Sequence, residues 1–199
     1  GFGVRDLENN LPFTAETLFR IGSTTKSMTS FMIAQLVAEG LLSWDTPVTE
    51  ILPDFATADP ALTAQITLRD LMGMATGLES DTFAGFRWGD WTFADLLQAV
   101  SEQTIAGEFG DHYAYNNEVY AVAGYAAAVA AGLDPTVESY KSLMQDHVFD
   151  PIGMTSAIIT DDHGDLGDNF ALPYEIPLDA DGFENTRMGD PPIGMSSPA

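Results

Sequence analysis

The sequence predicts a mixed α/β (α+β) fold, short strands at both ends around a helical middle. Three patterns carry that expectation. Residues at about 1–6 and 18–22 alternate enough to form short strands, and about 168–187 has the pattern of a hairpin. Between Asp45 and Pro151 the apolar residues recur at helical spacing with no clear strand among them. With 199 residues, 45% of them hydrophobic and 11% aromatic, the chain can bury a real core of roughly one domain. The expected organisation is one domain over 1–199: N-terminal strands and a first helix over 1–44, a mostly helical subdomain over 45–160, and a hairpin and return segment over 161–199.

Taken in order, the two early strands are joined by a turn-rich stretch, Glu8-Asn9-Asn10-Leu11-Pro12. The main helix follows from Thr24 to about Leu41, with Met28, Phe31, Met32, Ala34, Leu36, Val37 and Leu41 as its apolar positions and Gly40 as its end. Methionines at such positions are core filler. Further helices are expected at Val48–Leu52, Leu68–Met72, Thr92–Ser101, Glu118–Ala131 and Thr136–His147. Phe83 to Trp91 forms an aromatic loop, and Asp179-Ala180-Asp181-Gly182 supplies the turn of the hairpin.

Where the segment Leu18-Phe19-Arg20-Ile21-Gly22 runs into the main helix stands Ser23-Thr24-Thr25-Lys26. A serine in the first turn with a lysine three residues on places hydroxyl and amine on one helix face, about 5–6 Å apart at Cβ. The pair has the roles of nucleophile and neighbouring base without a histidine. With two lysines and eleven serines in the chain, about 0.1 such matches are expected by chance. The plain alternative is a helix-capping serine and a solvated lysine.

A second pattern changes that balance. Tyr115 precedes Asn117 by two residues at the head of the helix that carries Tyr120 and Gly124. From six tyrosines and six asparagines, about 0.2 such matches are expected by chance, and two independent accidents are rare. The plain alternative is a half-buried tyrosine with its hydroxyl tied down and a capping asparagine.

Together these residues resemble the serine beta-lactamase-like family: class C beta-lactamases, related penicillin-binding proteins and D-peptidases, and lactamase-like carboxylesterases. Phe19 to Ser27 is similar to the family's nucleophile segment, and Glu39 to Val48 to the end of its first long helix. Ile66 to Met72 followed by Thr76-Gly77-Leu78, then Tyr115 to Gly124, then Phe149 to Met154, match its landmarks in order and spacing. The resemblance implies a beta-lactamase/transpeptidase-like fold, an antiparallel sheet with flanking helices plus a helical subdomain, the sheet incomplete here. It departs in two places. The family's third motif, Lys-Thr-Gly or His-x-Gly, has no counterpart before Ala199, and Gly1 to Asp6 is similar to the middle of an early strand pair, so a chain clipped at both ends is expected. Met74-Ala75-Thr76-Gly77-Leu78 stands where the family usually has His-Thr-Ser-Gly-Leu, a change expected to alter packing beneath the site.

Charge excludes other classes. Thirty acidic residues against seven basic give a net charge of −23, which repels phosphate backbones and anionic membranes, so no nucleic-acid partner is expected. The acids are scattered, as on a folded surface, and scarce lysine beside abundant aspartate suggests adaptation to high salt, where screening removes self-repulsion. No apolar run reaches membrane-spanning length and no N-terminal signal segment is visible, which leaves localisation open. The absence of cysteine excludes disulfides and thiolate metal sites. No metal is expected: Asp179 to Gly182 lacks the ligand spacing of a calcium loop, Asp161-Asp162-His163-Gly164-Asp165 reads as a solvated loop, and His112 and His147 are solitary. No phosphate-binding loop is present, and no cofactor is expected.

The expected chemistry is acyl transfer. Ser23 attacks an ester, beta-lactam or D-peptide carbonyl, and its backbone N–H and the helix dipole favour the oxyanion. Lys26 and Tyr115 share the proton, and the residues leave open which accepts it: a lysine must be neutral to act as a base, and a tyrosine needs adjacent positive charge. Asn117 binds Lys26 or the substrate amide, and water releases the acyl enzyme. A carboxylesterase or broad lactamase-like hydrolase is favoured. The rival expectation is a non-catalytic fragment or binding scaffold whose site lacks its third motif.

Overall fold

The small, apolar residues of Asn117–Ala130 make this helix the centre of the molecule. Alanine, glycine and valine around its whole circumference let neighbours approach from every side, and a helix without a polar face is a buried one. All its residues from Asn117 to Ala128 are buried. The computed structural model describes residues 1–80, 91–160, 163–175 and 186–187. The loop over 83–90, Asp161-Asp162, the turn Asp179 to Gly182 and the last segment, Pro192 to Ala199, lie outside the described residues.

In chain order the elements are β1 (Val4–Asp6), β2 (Leu11–Pro12), α1 (Thr25–Ala38), α2 (Val48–Ile51), α3 (Pro60–Thr63), α4 (Leu68–Gly73), α5 (Phe93–Glu102), α6 (Asn117–Ala130), α7 (Val137–Met144), a π turn over Gln145–Phe149, α8 (Asp150–Ile152), a 3-10 turn over His163–Leu166, β3 (Tyr174–Glu175) and β4 (Thr186–Arg187). The central α6 packs on α1, α2, α4, α5 and α7. The core between them is built from residues such as Ile33, Leu36, Leu71, Val100 and Tyr140.

Local chemistry sets the helix ends. At the end of α1, Gly40 lies at φ +79°, its N–H donating to Val37 O (3.1 Å) while Leu41 N–H donates to Leu36 O (3.0 Å). That is a Schellman motif, which satisfies carbonyls the helix leaves over. The same pair of bonds closes α6, from Gly132 to Val129 O and from Leu133 to Ala128 O. At the head of α5, Thr92 N–H donates to Asp95 Oδ2 and Asp95 N–H to Thr92 Oγ1, a reciprocal capping box. The Thr92 hydroxyl and amide hold the Asp95 carboxyl below its usual range.

The expected helices form with ends shifted by one to three residues, the first stopping at Ala38 short of Leu41 and the last at Met144 short of His147, and of the expected hairpin β3 is paired antiparallel to β4, with Tyr174 opposite Arg187. Two expectations need correcting. Residues 18–22 are not a strand: Leu18 alone bridges to Phe170, in parallel, before Ile21 turns into the helical region and Gly22 takes φ +51° to open a 3-10 turn. The partner of β1 is instead β2, inside the stretch expected to be a turn, across a bulge. Residues 169–172 lie between β1 and Leu18, with Leu18 N–H donating to Asn169 O, Ala171 N–H to Leu18 O and Leu172 N–H to Arg5 O. On α1 the buried stripe is Lys26, Thr29, Met32, Ile33 and Leu36. Phe31 and Leu41 are about half exposed: Phe31 lies off the face turned to α6 and α7, and Leu41 lies beyond the end of the helix.

Tyr140 ties α7 to α1. It is fully buried and its hydroxyl meets Thr29 Oγ1 at 2.8 Å, and burial pushes its pKa up to about 12. Tyr140→Phe keeps the ring, and Thr29 keeps a bond to Thr25 O. A loss of about 1 kcal/mol, one net hydrogen bond, is expected from urea unfolding midpoints.

Candidate active site

Ser23 is presented by a turn and Lys26 by the helix that follows it. Gly22 occupies the left-handed region with open space where a side chain would stand, so backbone conformation, not crowding, selects glycine here. The 3-10 turn Gly22–Thr24 follows, with Thr24 N–H donating to Ile21 O (3.1 Å). Ser23 is exposed on that turn. One turn later Lys26 opens the buried stripe of α1 and is 9% exposed.

The facing wall comes from the start of α6. Asn116 is its N-cap, the side chain accepting from Val119 N–H at 3.0 Å. That leaves Tyr115 on the incoming loop and Asn117 in the first helical turn, both turned to α1. Ser23 Oγ and Tyr115 OH are 2.5 Å apart, and Lys26 Nζ donates to Ser23 Oγ at 3.3 Å. Lys26 Nζ also donates to Asn117 Oδ1. Lys26 Nζ stands 4.9 Å from the Tyr115 ring centroid and 5.5 Å from that of Tyr120. Among the described residues no carboxylate lies within ion-pair distance of Lys26.

All four residues singled out in the sequence, Ser23, Lys26, Tyr115 and Asn117, therefore meet at one place. The capping alternatives do not describe them. Thr24, not Ser23, holds the N-cap position of α1, and Asn116, not Asn117, caps α6. A solvated Lys26 is likewise ruled out by its burial. Chemically, an exposed hydroxyl hydrogen-bonded to both a phenol and a buried amine has two short routes for losing its proton.

Sequence reasoning missed the support behind these groups. Asn116, 1% exposed, donates through Nδ2 to Glu79 O and to Gln103 Oε1, each at 2.8 Å. Gln103 Nε2 in turn donates to the buried Glu118. Asn116 N–H faces Met74 Sδ at 3.5 Å, and Met74 itself holds a left-handed conformation at φ +52° as the C-cap of α4. Met74, the first of the three residues in which this stretch departs from the resembled pattern, thus packs against the Tyr115–Asn117 segment. Two adjacent asparagines before a helix were the available signal. Which one caps depends on the entry angle of the chain.

A family model described as Beta-lactamase matches residues 1–165. The chain is 31% identical over 163 residues to Unguisins hydrolase ungD of Aspergillus violaceofuscus, covering 78% of this chain and 28% of that protein. It is 27% identical over 152 residues to penicillin-binding protein 4 of Amycolatopsis lactamdurans, covering 76% and 39%. The octameric penicillin-binding protein homologue from Pyrococcus abyssi superposes with a TM-score of 0.78 at 24% identity, over 99% of this chain and 44% of that one. The chain thus spans less than half the length of these three proteins. The match over residues 1–165, on a fold shared with a penicillin-binding protein homologue, means that the chain belongs to the beta-lactamase family.

Proposed function

We propose that this chain carries the nucleophilic centre of a serine hydrolase that works through an acyl enzyme. Ser23 Oγ attacks a carbonyl carbon and its proton passes to the Lys26–Tyr115 pair. The tetrahedral intermediate collapses as the leaving group departs with a proton from that pair, and water then cleaves the ester to Ser23. Asn117 holds Lys26 in place. The observation that carries this reading is Ser23 Oγ lying 2.5 Å from Tyr115 OH and 3.3 Å from Lys26 Nζ, with the serine exposed and the lysine buried. A serine meant only to cap a helix needs neither neighbour.

The substrate carbonyl belongs to an ester, a beta-lactam or a D-peptide, with a carboxylesterase or broad lactamase-like hydrolase favoured. The names of the relatives, one a hydrolase and one a penicillin-binding protein, support that range. Incubation with a fluorophosphonate and with a fluorescent penicillin, followed by peptide mapping, is expected to place the adduct on Ser23, and Ser23→Ala is expected to abolish it. An adduct elsewhere, or equal labelling of the variant, would leave the chain as a binding scaffold. Rates with a p-nitrophenyl ester and a chromogenic cephalosporin separate esterase from lactamase.

A further inference from the structure

Tyr120 touches both ends of Lys26. It sits one turn beyond Asn117, so the two side chains leave the same face of α6, and it is 3% exposed. Its hydroxyl donates to the backbone carbonyl of Lys26 at 2.7 Å. A phenol has one proton, so the 2.5 Å contact between that hydroxyl and Ser30 Oγ is donated by Ser30. Meanwhile the ring stands 5.5 Å from Lys26 Nζ. One side chain of α6 therefore grips the backbone of Lys26, the hydroxyl one turn further along α1, and the space beside the amine. Burial raises the pKa of Tyr120, as does the neighbouring Tyr115, which keeps its hydroxyl a permanent donor.

We infer that Tyr120 is a positioning residue: it fixes where Lys26 Nζ stands relative to Ser23 Oγ by clamping the first turn of α1 to the face of α6 that carries Asn117. This inference rests on the proposed nucleophilic role of Ser23. The physical requirement is distance. Lys26 Nζ is already 3.3 Å from Ser23 Oγ, near the limit of a useful hydrogen bond, so a small rotation or slide of α1 against α6 takes the amine out of reach. Asn117 alone does not prevent such a slide, because it holds only the end of a flexible four-carbon chain. Tyr120 holds the backbone from which that chain starts.

The test measures the rate of Ser23 modification by a fluorophosphonate, resolved into the maximal rate of inactivation and the half-saturating concentration. Tyr120→Phe keeps the ring and loses the hydroxyl. Its maximal rate is expected to fall about 5- to 10-fold, the worth of one hydrogen bond, with half-saturation changed less than about twofold. Ser30→Ala leaves the bond to the Lys26 carbonyl in place and is expected to stay within about twofold of the unaltered protein, a small change relative to that hydrogen bond. Tyr120→Leu removes ring and hydroxyl and is expected to fall further. In a Lys26→Met background, Tyr120→Phe is expected to change the residual rate little, since a positioning role vanishes with the group positioned. Wild-type modification rates in Tyr120→Phe with only a lowered melting temperature, or an equal loss in both backgrounds, would overturn the inference and leave the Ser23 reading intact. Failure of the unaltered protein to label at Ser23 would overturn both.

Discussion

Lys26→Met is expected to slow acylation of Ser23 by about 10²–10⁴-fold, the usual worth of a positioned acid or base, while the protein remains folded. The substitution keeps an unbranched chain of similar length in the buried stripe of α1 and removes only the amine. Replacing a largely buried polar group by an apolar one removes the cost of keeping it out of water. Asn117 Oδ1 loses its donor, which offsets part of that gain, so the urea midpoint is expected to stay close to that of the unaltered chain. Unchanged half-saturation with a collapsed maximal rate marks a group acting on the proton rather than on binding. A Lys26→Met protein that is acylated at the original rate would remove lysine from the mechanism and leave Tyr115 as the sole proton acceptor.

Asn116→Ala is the substitution expected to cost most stability near the site, about 2–4 kcal/mol. The side chain caps α6 through Val119 N–H, a contribution of about 1 kcal/mol. Its amide group also supplies the donor for the part-buried Glu79 O and the buried Gln103 Oε1, and a stranded buried acceptor costs about 1–3 kcal/mol. Gln103 has no easy remedy, since turning its amide around would give up the bond to Glu118. Asn116→Asp separates the two contributions. It keeps the capping oxygen but loses both donated bonds and adds a second carboxylate beside Glu118, so it is expected to be at least as unstable as the alanine variant. Wild-type stability of Asn116→Asp in urea unfolding would show that capping alone matters. Labelling of Ser23 is expected to fall in both variants, because Tyr115 and Asn117 flank the residue removed.

Lys26 and Asn117 illustrate two different kinds of legibility. The Ser23–Lys26 pair follows from local spacing, because residues three apart share a face in the α-helix that the sequence predicts and do so also where, as here, Ser23 stands on the 3-10 turn that leads into α1. Periodicity likewise places α1, α5, α6 and α7 to within three residues at each end. Asn117 needed more. Its hydrogen bond to Lys26 spans 91 positions in the chain, and only the docking of α6 on α1 makes the two neighbours. The second early strand failed for a similar reason. Alternation at 18–22 suits a strand, but strand formation depends on a partner's register, and residues 169–172 meet only Leu18 there.

Local sequence therefore determined the helices, their glycine ends and the single face that carries hydroxyl and amine, since each depends on contacts within a few residues. Tertiary structure decided that Lys26 is buried, that Asn116 caps while Asn117 reaches across, and that Tyr120 stands beside the amine. Those outcomes depend on how one helix is set against another. Side chains in hydrogen-bond contact and some 90 positions apart in the chain leave no periodic trace.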